Sequence, residues 1–98
     1  MTVGPTEVKT IRLTGPITLY EVATVCESLR MALADEKPLL IDLSDSGPWD
    51  LAGLQLLVSC DQSARNHDQS VRLVDIPDGC AEVAERSGLS DWLGSVRE

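Results

Sequence analysis

Three segments with the apolar pattern of β-strands alternate along this chain with segments that repeat apolar residues every three or four positions, as amphipathic helices do. The predicted strands are 9–13, 39–43 and 71–76, and the predicted helices are 19–34, 50–67, 78–87 and 90–93. This alternation indicates an α/β domain. Its neighbouring strands should run parallel, because a crossover that contains a helix brings the chain back to the end of the sheet at which the previous strand began.

The middle of the chain has the pattern of a strand, a loop and a helix, around which the other segments pack. The run from Leu39 to Leu43 is apolar on both faces, which is typical of a central strand in a parallel sheet. Asp50 is a predicted N-cap, since its carboxylate can accept hydrogen bonds from the free N–H groups of the first helical turn. Gly53 is unfavourable in a helix interior by about 0.8–1 kcal/mol relative to alanine, so we expect the helix to lie against a neighbouring backbone there.

Two other helix ends carry recognisable signals. Thr18 and Glu21 have the spacing of a capping box, which predicts the start of the first helix. Gly88 fits the left-handed position after a helix C-terminus, and Leu89 supplies the apolar residue that follows it. The segment 1–7 shows no such pattern and is expected to form a loose arm or an edge strand.

The composition fits one small domain and excludes several classes of partner. A chain of 98 residues is expected to form a single domain, with an aliphatic core because phenylalanine is absent. The net charge is −8, which disfavours nucleic acids and anionic lipid surfaces. The sequence has neither a stretch of ~20 apolar residues nor a signal-peptide pattern, so we expect a cytoplasmic protein that does not insert into membranes.

Patterns typical of catalysis or metal binding are scarce. The cysteines Cys26, Cys60 and Cys80 have no CxxC or Cys/His spacing, and buried reduced thiols are the expected state. His67 is the single histidine, and beside Asp68 it is interpreted as a solvated or helix-capping residue. The chain has no nucleophile elbow, Walker A sequence or dinucleotide-binding turn. An enzyme is therefore not expected, and no cofactor is predicted.

An acidic cluster leaves one enzymatic alternative open. Asp42, Asp45 and Asp50 are predicted to lie beyond the carboxyl end of the central strand, where ligands of open α/β sheets bind. Together they could hold a divalent metal in a small hydrolase. The simpler interpretation makes Asp50 a helix cap and Asp45 a turn residue, so no metal site is predicted.

The start of the second predicted helix carries the apolar residues best suited to a protein contact. Leu51 follows the helix cap at an exposed position, and the adjacent Trp49 is a residue type enriched at the centres of interfaces. Trp92, near the end of the chain, is expected in the core or as a lid. The predicted partner-binding residues are Ser46, Trp49, Asp50, Leu51 and Gln55.

Four short motifs in register resemble those of the STAS domain family, whose best-known members are anti-sigma factor antagonists. Ile11–Gly15 is similar to the family's strand that ends in glycine before the first helix, and Leu40–Ser44 is similar to its central strand. Asp50–Leu54 resembles the D-[ST]-x-G-L motif at the second helix, and Ser87–Leu89 resembles the Gly-Leu pair near the C-terminal end. The resemblance covers nearly the whole chain.

The resemblance implies a STAS fold, which is a small mixed β-sheet with helices packed on one side, and a non-catalytic protein-interaction module. In family members of the sporulation type, the partner kinase phosphorylates the serine or threonine after the motif aspartate, and the phosphate blocks binding to that kinase. Leu51 occupies this position here and cannot accept phosphate, so the switch is predicted to be absent. Ser44 and Ser46 are the fallback phosphate acceptors.

Two partners from different protein classes are consistent with this resemblance. The first is a histidine kinase or an anti-sigma-type kinase in bacterial signalling, because the motif that begins at Asp50 is similar to that of STAS proteins associated with chemotaxis kinases. The alternative is the cytoplasmic ATPase of a lipid-trafficking ABC transporter, of which this chain would be the small STAS subunit. A monomer and a homodimer are both compatible with the sequence.

Overall fold

The computed structural model describes residues 8–98, and within that range the chain forms five strands and four helices. The strands are β1 (Lys9–Arg12), β2 (Gly15–Ile17), β3 (Leu39–Asp42), β4 (Ser46–Trp49) and β5 (Val71–Val74). The helices are α1 (Val22–Leu33), α2 (Leu51–Asn66), α3 (Asp78–Arg86) and α4 (Ser90–Val96). The arm or edge strand expected at 1–7 lies outside the described residues.

The main sheet has the order β1-β3-β5, so the predicted central strand lies in the middle with a parallel neighbour on each side. Ile11, Ile41 and Leu73 lie side by side in this register. Along β3, Leu39 and Ile41 are buried while Leu40 is only half-buried, so one face of the strand carries more of the core than the other. The predicted α/β class with parallel neighbours is confirmed, and the strand pairs within 8–98 include no antiparallel one.

A second sheet, which the sequence pattern does not reveal, pairs β2 with β4 in parallel. The expectation that only a loop connects the central strand to the helix at Asp50 is therefore wrong, because that segment contains β4. Both strands are short and contain glycine and proline, residue types that are depleted in strands. Each is an edge strand of a two-stranded sheet, where the missing N–H of proline is tolerated.

The helices α2 and α3 begin and end within one residue of their predicted bounds, whereas α1 begins three residues later than predicted. The delay arises because 18–21 forms a turn, in which the Thr18 carbonyl accepts the Glu21 N–H at 2.9 Å. The Glu21 carboxylate also accepts the Thr18 N–H at 2.9 Å. Of the two hydrogen bonds of the predicted capping box, the one from the Thr18 N–H to the Glu21 carboxylate is thus formed, and it lies one turn before α1 begins.

The end of α3 has the geometry predicted from Gly88 and Leu89. Gly88 has a φ of 74°, in the left-handed region that glycine adopts without a steric penalty. Its N–H donates to the carbonyl of Glu85 at 3.4 Å, and the N–H of Leu89 donates to the carbonyl of Ala84 at 2.8 Å. These two bonds define a Schellman motif, which reverses the chain into the short helix α4.

The core is aliphatic, as the absence of phenylalanine predicts, and it draws side chains from both sheets and all four described helices. Its largest fully buried members are Ile17, Leu39, Ile41, Leu43, Leu54, Leu57, Leu73, Val96 and Cys80. Because α2 contributes buried residues along its length, it is the helix that connects the two sheets.

At Gly53, the backbone of α2 lies directly against the backbone of β2. A Cβ atom at this position would lie 2.9 Å from Cγ2 of Ile17 and closer still to the Ile17 carbonyl oxygen. Ile17 is only 1% exposed, so the surrounding core holds it in place. The expectation that Gly53 marks a close approach to a neighbouring backbone is confirmed.

Gly53→Ala is expected to lower the free energy of unfolding by about 1–3 kcal/mol, because the added methyl group overpacks a backbone contact. Gly94→Ala is the matched control, since a Cβ atom there has no neighbour within 4 Å. The higher helix propensity of alanine should stabilise that variant by up to about 1 kcal/mol. Urea unfolding followed by circular dichroism measures both changes, and a Gly53→Ala variant as stable as the wild type would contradict the packing argument.

Candidate functional site

Asp50 joins the entry of α1 to the start of α2. One carboxylate oxygen, Oδ1, accepts the Gly53 N–H at 3.0 Å, which confirms Asp50 as the N-cap of α2. The other oxygen, Oδ2, accepts the Leu19 N–H at 2.9 Å, across 31 positions of sequence. This second bond was not predicted, because the residue spacing of a cap does not show which distant segment will lie beside it. The loop 18–20 is thereby held against the first turn of α2.

The same two hydrogen bonds favour the ionised form of Asp50. The N–H of Leu19 makes the largest contribution and that of Gly53 the next, and both lower the pKa of the Asp50 carboxyl because they stabilise its charged form. The negative charge therefore stays at the positive end of the α2 dipole at neutral pH.

Three exposed apolar side chains surround this junction. Leu51 is 42% exposed at the first position of α2, and Leu19 and Tyr20 on the facing loop are 64% and 91% exposed. Gln55, one turn further along α2, is also exposed. We call these four residues the α2 N-terminal surface. Sequence reasoning missed Leu19 and Tyr20, because a capping box formed by Thr18 and Glu21 places the two residues between them in the first turn of the helix.

Trp49, which was predicted to contact a partner, is only 8% exposed. Its indole Nε1 donates to Ser46 Oγ at 2.9 Å, and Ser46 Oγ in turn donates to the Leu43 carbonyl at 2.7 Å. Trp49 and Ser46 therefore shape the β3–β4 connection from within instead of presenting an apolar patch. Of the two fallback phosphate acceptors, Ser46 is engaged in these bonds while Ser44 is exposed.

The acidic cluster considered as a metal site is used for other contacts. Arg12 pairs with Asp42 at 3.3 Å and with Asp45 at 3.1 Å, while Asp50 caps α2. Backbone and side-chain hydrogen bonds from Ser44, followed by the charge of Arg12, lower the pKa of Asp42. Across 8–98, no three histidine, cysteine or acidic side chains are grouped so that they could hold a metal ion. The structure therefore gives the metal-dependent hydrolase alternative no support.

His67 and Trp92 both make contacts within the fold. His67 is exposed at the C-terminus of α2, where its Nδ1 lies 2.9 Å from the carbonyl oxygen of Ser63, as expected of a helix-capping histidine. Trp92 is half-buried and donates from Nε1 to the buried carboxylate of Asp61 at 3.0 Å. Arg65, one turn along α2, completes this cluster with an ion pair to Asp61 at 3.1 Å. The cluster attaches α4 to α2.

The three cysteines are free thiols, as predicted, and two of them are buried. Burial raises the pKa of Cys60 and of Cys80 to about 11. Because the thiolate is the reactive form, both should be inert at neutral pH.

A profile for the family described as "Mlab, STAS domain" matches residues 2–96. The chain belongs to the STAS domain family. This match confirms the resemblance carried by the four sequence motifs. STAS domains are generally non-catalytic interaction modules that bind protein partners.

No curated protein matches the chain in sequence. Within 8–98, no helix combines the length and the apolar character that crossing a membrane requires.

Solved structures of STAS domains share this fold at low sequence identity. A sulfate transporter family protein from Wolinella succinogenes has a TM-score of 0.73 at 20% identity, over 98% of this chain and 80% of that one. The STAS domain of a SulP transporter from Vibrio cholerae has a TM-score of 0.70 at 18% identity, over 97% and 75%. The anti-sigma factor antagonist SpoIIAA in its unphosphorylated form has a TM-score of 0.69 at 17% identity, over 93% and 81%. The STAS fold is thus confirmed.

Asp50→Asn tests the junction between α1 and α2 through its pH dependence. Asparagine can still cap α2, but the second carboxylate oxygen becomes an amide that cannot accept the Leu19 N–H, so the variant should lose about 1–2 kcal/mol of stability at pH 7. The pKa of Asp50 is lower in the folded than in the unfolded chain. Its contribution is therefore present above the unfolded pKa of about 4 and is lost as the pH falls through the folded pKa.

Urea unfolding at neutral and at strongly acidic pH measures this effect. The difference in unfolding free energy between wild type and Asp50→Asn should shrink in acid, because the wild-type carboxyl is then protonated too. Asp68→Asn is the control, since Asp68 is exposed in the loop after α2 and should change stability by less than about 0.5 kcal/mol. A difference that is the same at both pH values would contradict the proposed role of Asp50.

Alkylation tests the burial of the thiols. Cys26 is half-exposed, so iodoacetamide should modify it in the folded protein before Cys60 and Cys80. Each cysteine lies on a different tryptic peptide, which allows mass spectrometry to follow the three reactions separately. In urea the three rates should become similar, whereas equal rates in the folded protein would show that the buried pair is accessible.

Proposed function

We propose that this chain is a non-catalytic STAS module in bacterial signalling, which docks on a histidine kinase or an anti-sigma-type kinase through the α2 N-terminal surface. The observation that carries the proposal is that Leu19, Tyr20 and Leu51 are exposed apolar residues on two segments whose backbones are both hydrogen-bonded to the Asp50 carboxylate. Exposed apolar patches on small domains mark binding sites. Gln55 extends the surface along α2, while the half-buried Ser46 and the buried Trp49 lie in β4, the strand that leads into it.

Leu51 makes this docking independent of phosphorylation at that position. A phosphate on the first residue of α2 would add a charge of about −2 to the centre of the surface and would disrupt an apolar contact by desolvation and repulsion. SpoIIAA, a structural neighbour, has been solved in both an unphosphorylated and a phosphorylated form. In this chain the leucine supplies a constant apolar contact instead. Ser44 remains the more accessible fallback acceptor.

The composition supports a protein partner in the cytoplasm. A net charge of −8 repels nucleic acids and anionic membranes, and the described helices are too short or too polar to insert into a bilayer. No cofactor is part of the proposal.

A second candidate partner is the cytoplasmic ATPase of a lipid-trafficking ABC transporter. Two of the structural neighbours come from transporters, which supports a role for this fold as a transporter part. The same surface would then form a permanent interface. Leu51, which cannot be phosphorylated, is also compatible with an interface of that kind.

Leu51→Glu is expected to reduce the capture of the partner at least about tenfold, which corresponds to about 1.4 kcal/mol of binding free energy. The substitution places a negative charge at the centre of the α2 N-terminal surface while leaving the core intact. Tagged wild-type and variant chains are expressed in the organism of origin, and mass spectrometry quantifies the proteins bound to each.

Met31→Glu is the matched control, because Met31 is an exposed apolar residue, 68% exposed, near the opposite end of α1. It should leave capture unchanged. Recovery of a kinase that depends on Leu51 supports the signalling proposal, and recovery of an ATPase with its permease supports the transporter alternative. A kinase bound equally well by Leu51→Glu would refute the proposed surface.

A further inference from the structure

The basic residues of this chain avoid the end of the molecule that carries the α2 N-terminal surface. Because the main sheet is parallel, the segments that follow its strands all begin at the carboxyl ends of the strands. These segments are 13–24, 43–54 and 75–82. These segments contain no lysine or arginine. They contain the acidic residues Glu21, Asp45, Asp50, Asp75, Asp78 and Glu82.

Of the eight lysines and arginines, Arg12 alone ends a strand of the main sheet, and its guanidinium is committed to Asp42 and Asp45. The others precede or begin strands, occupy the last turns of helices, lie within β5 or follow α4. They are Lys9, Arg30, Lys37, Arg65, Arg72, Arg86 and Arg97. Among them, Arg97 lies beside Leu73 of β5 and lines a cleft with Ala81 of α3, so it is close to the segment 75–82 although it belongs to the C-terminal end of the chain.

Two of the acidic residues have carboxylates that are available to a partner. Asp75 and Asp78 are exposed at the entry of α3, and neither forms an ion pair within the described part of the chain. The helix α3 packs against β4, the strand that leads into Asp50 and Leu51. These two carboxylates, which form no ion pair, thus lie on the flank of the apolar surface.

We propose that the α2 N-terminal surface receives an apolar segment of a protein partner that is flanked by lysine or arginine residues. The inference rests on the proposed function and specifies the chemistry of the partner. Leu19, Tyr20 and Leu51 contact the apolar side chains, while Asp75 and Asp78 attract the flanking cations. The acidic flank speeds the approach of such a partner and selects against acidic ones, because complementary charges at a rim act mainly on association and specificity.

Two synthetic amphipathic helical peptides test this inference directly on the full chain. Both carry leucine on one face, and the flanks carry lysine in one peptide and glutamate in the other. NMR titration should place the lysine peptide on the α2 N-terminal surface, with the largest amide shifts at Leu19, Tyr20 and Leu51. Its affinity should fall as the ionic strength rises from about 0.01 M to about 0.15 M, because the Debye length shortens from about 30 Å to about 8 Å. The glutamate peptide should not bind.

Two pairs of charge-removing substitutions distinguish the effect of the acidic flank from the effect of the net charge. Asp75→Asn with Asp78→Asn should weaken binding of the lysine peptide by about threefold to tenfold. Glu36→Gln with Asp68→Asn changes the net charge equally at the opposite end and should have little effect. Asp75 and Asp68 have φ values of 55° and 57°, a region that asparagine tolerates, and Glu36 has a φ of 58° that Glu36→Gln leaves with a side chain of the same length.

The inference is overturned if the lysine peptide shifts amides on another face, if the glutamate peptide binds equally well, or if both variant pairs weaken binding alike. The proposed function is tested separately by the capture experiment. It stands, whatever the peptides do, if a kinase is captured by the wild type and lost with Leu51→Glu. Conversely, a peptide that maps to this surface while no captured kinase depends on Leu51 refutes the proposed function and supports the inference about the surface.

Discussion

The position of the candidate site depends on one carboxylate. Asp50 directly follows β4, caps α2 and accepts the Leu19 N–H, so a single side chain holds a helix start and a distant loop in one arrangement at the end of a strand. Gly53 makes this possible, because only a residue without a Cβ atom allows α2 to approach the backbone of Ile17 so closely. The hydrogen bonds and the close packing therefore support each other at the same junction.

The sequence patterns predicted the fold well where the local signal and the tertiary structure agree. The strand at Leu39–Leu43, the helix that begins after Asp50 and the chain reversal at Gly88 each follow from periodicity or cap chemistry, and the structure confirms all three. The pair β2 and β4 could not be predicted in the same way. Three or four residues that include glycine and proline have no strand pattern. They form strands only because the two segments pair with each other.

The candidate site was predicted less completely than the fold. Helical spacing correctly identified Leu51 and Gln55 as outward-facing, since that depends only on the periodicity of α2. The exposure of Leu19 depends on where α1 actually begins, and the burial of Trp49 depends on a hydrogen bond to Ser46. Both are consequences of tertiary packing, which residue spacing along the chain does not contain.

The small β2–β4 sheet has a consequence for the thermodynamics of partner binding. β2 leads into the loop 18–20 and β4 leads into Asp50 and Leu51, so the loop is fixed by a strand at its start and by the hydrogen bond from the Leu19 N–H to Asp50. A surface that is already ordered loses little conformational entropy when a partner docks, and preorganisation of this kind favours affinity. Most of the entropic cost of complex formation then falls on the partner, whose own flexibility becomes the main determinant of how tightly it is held.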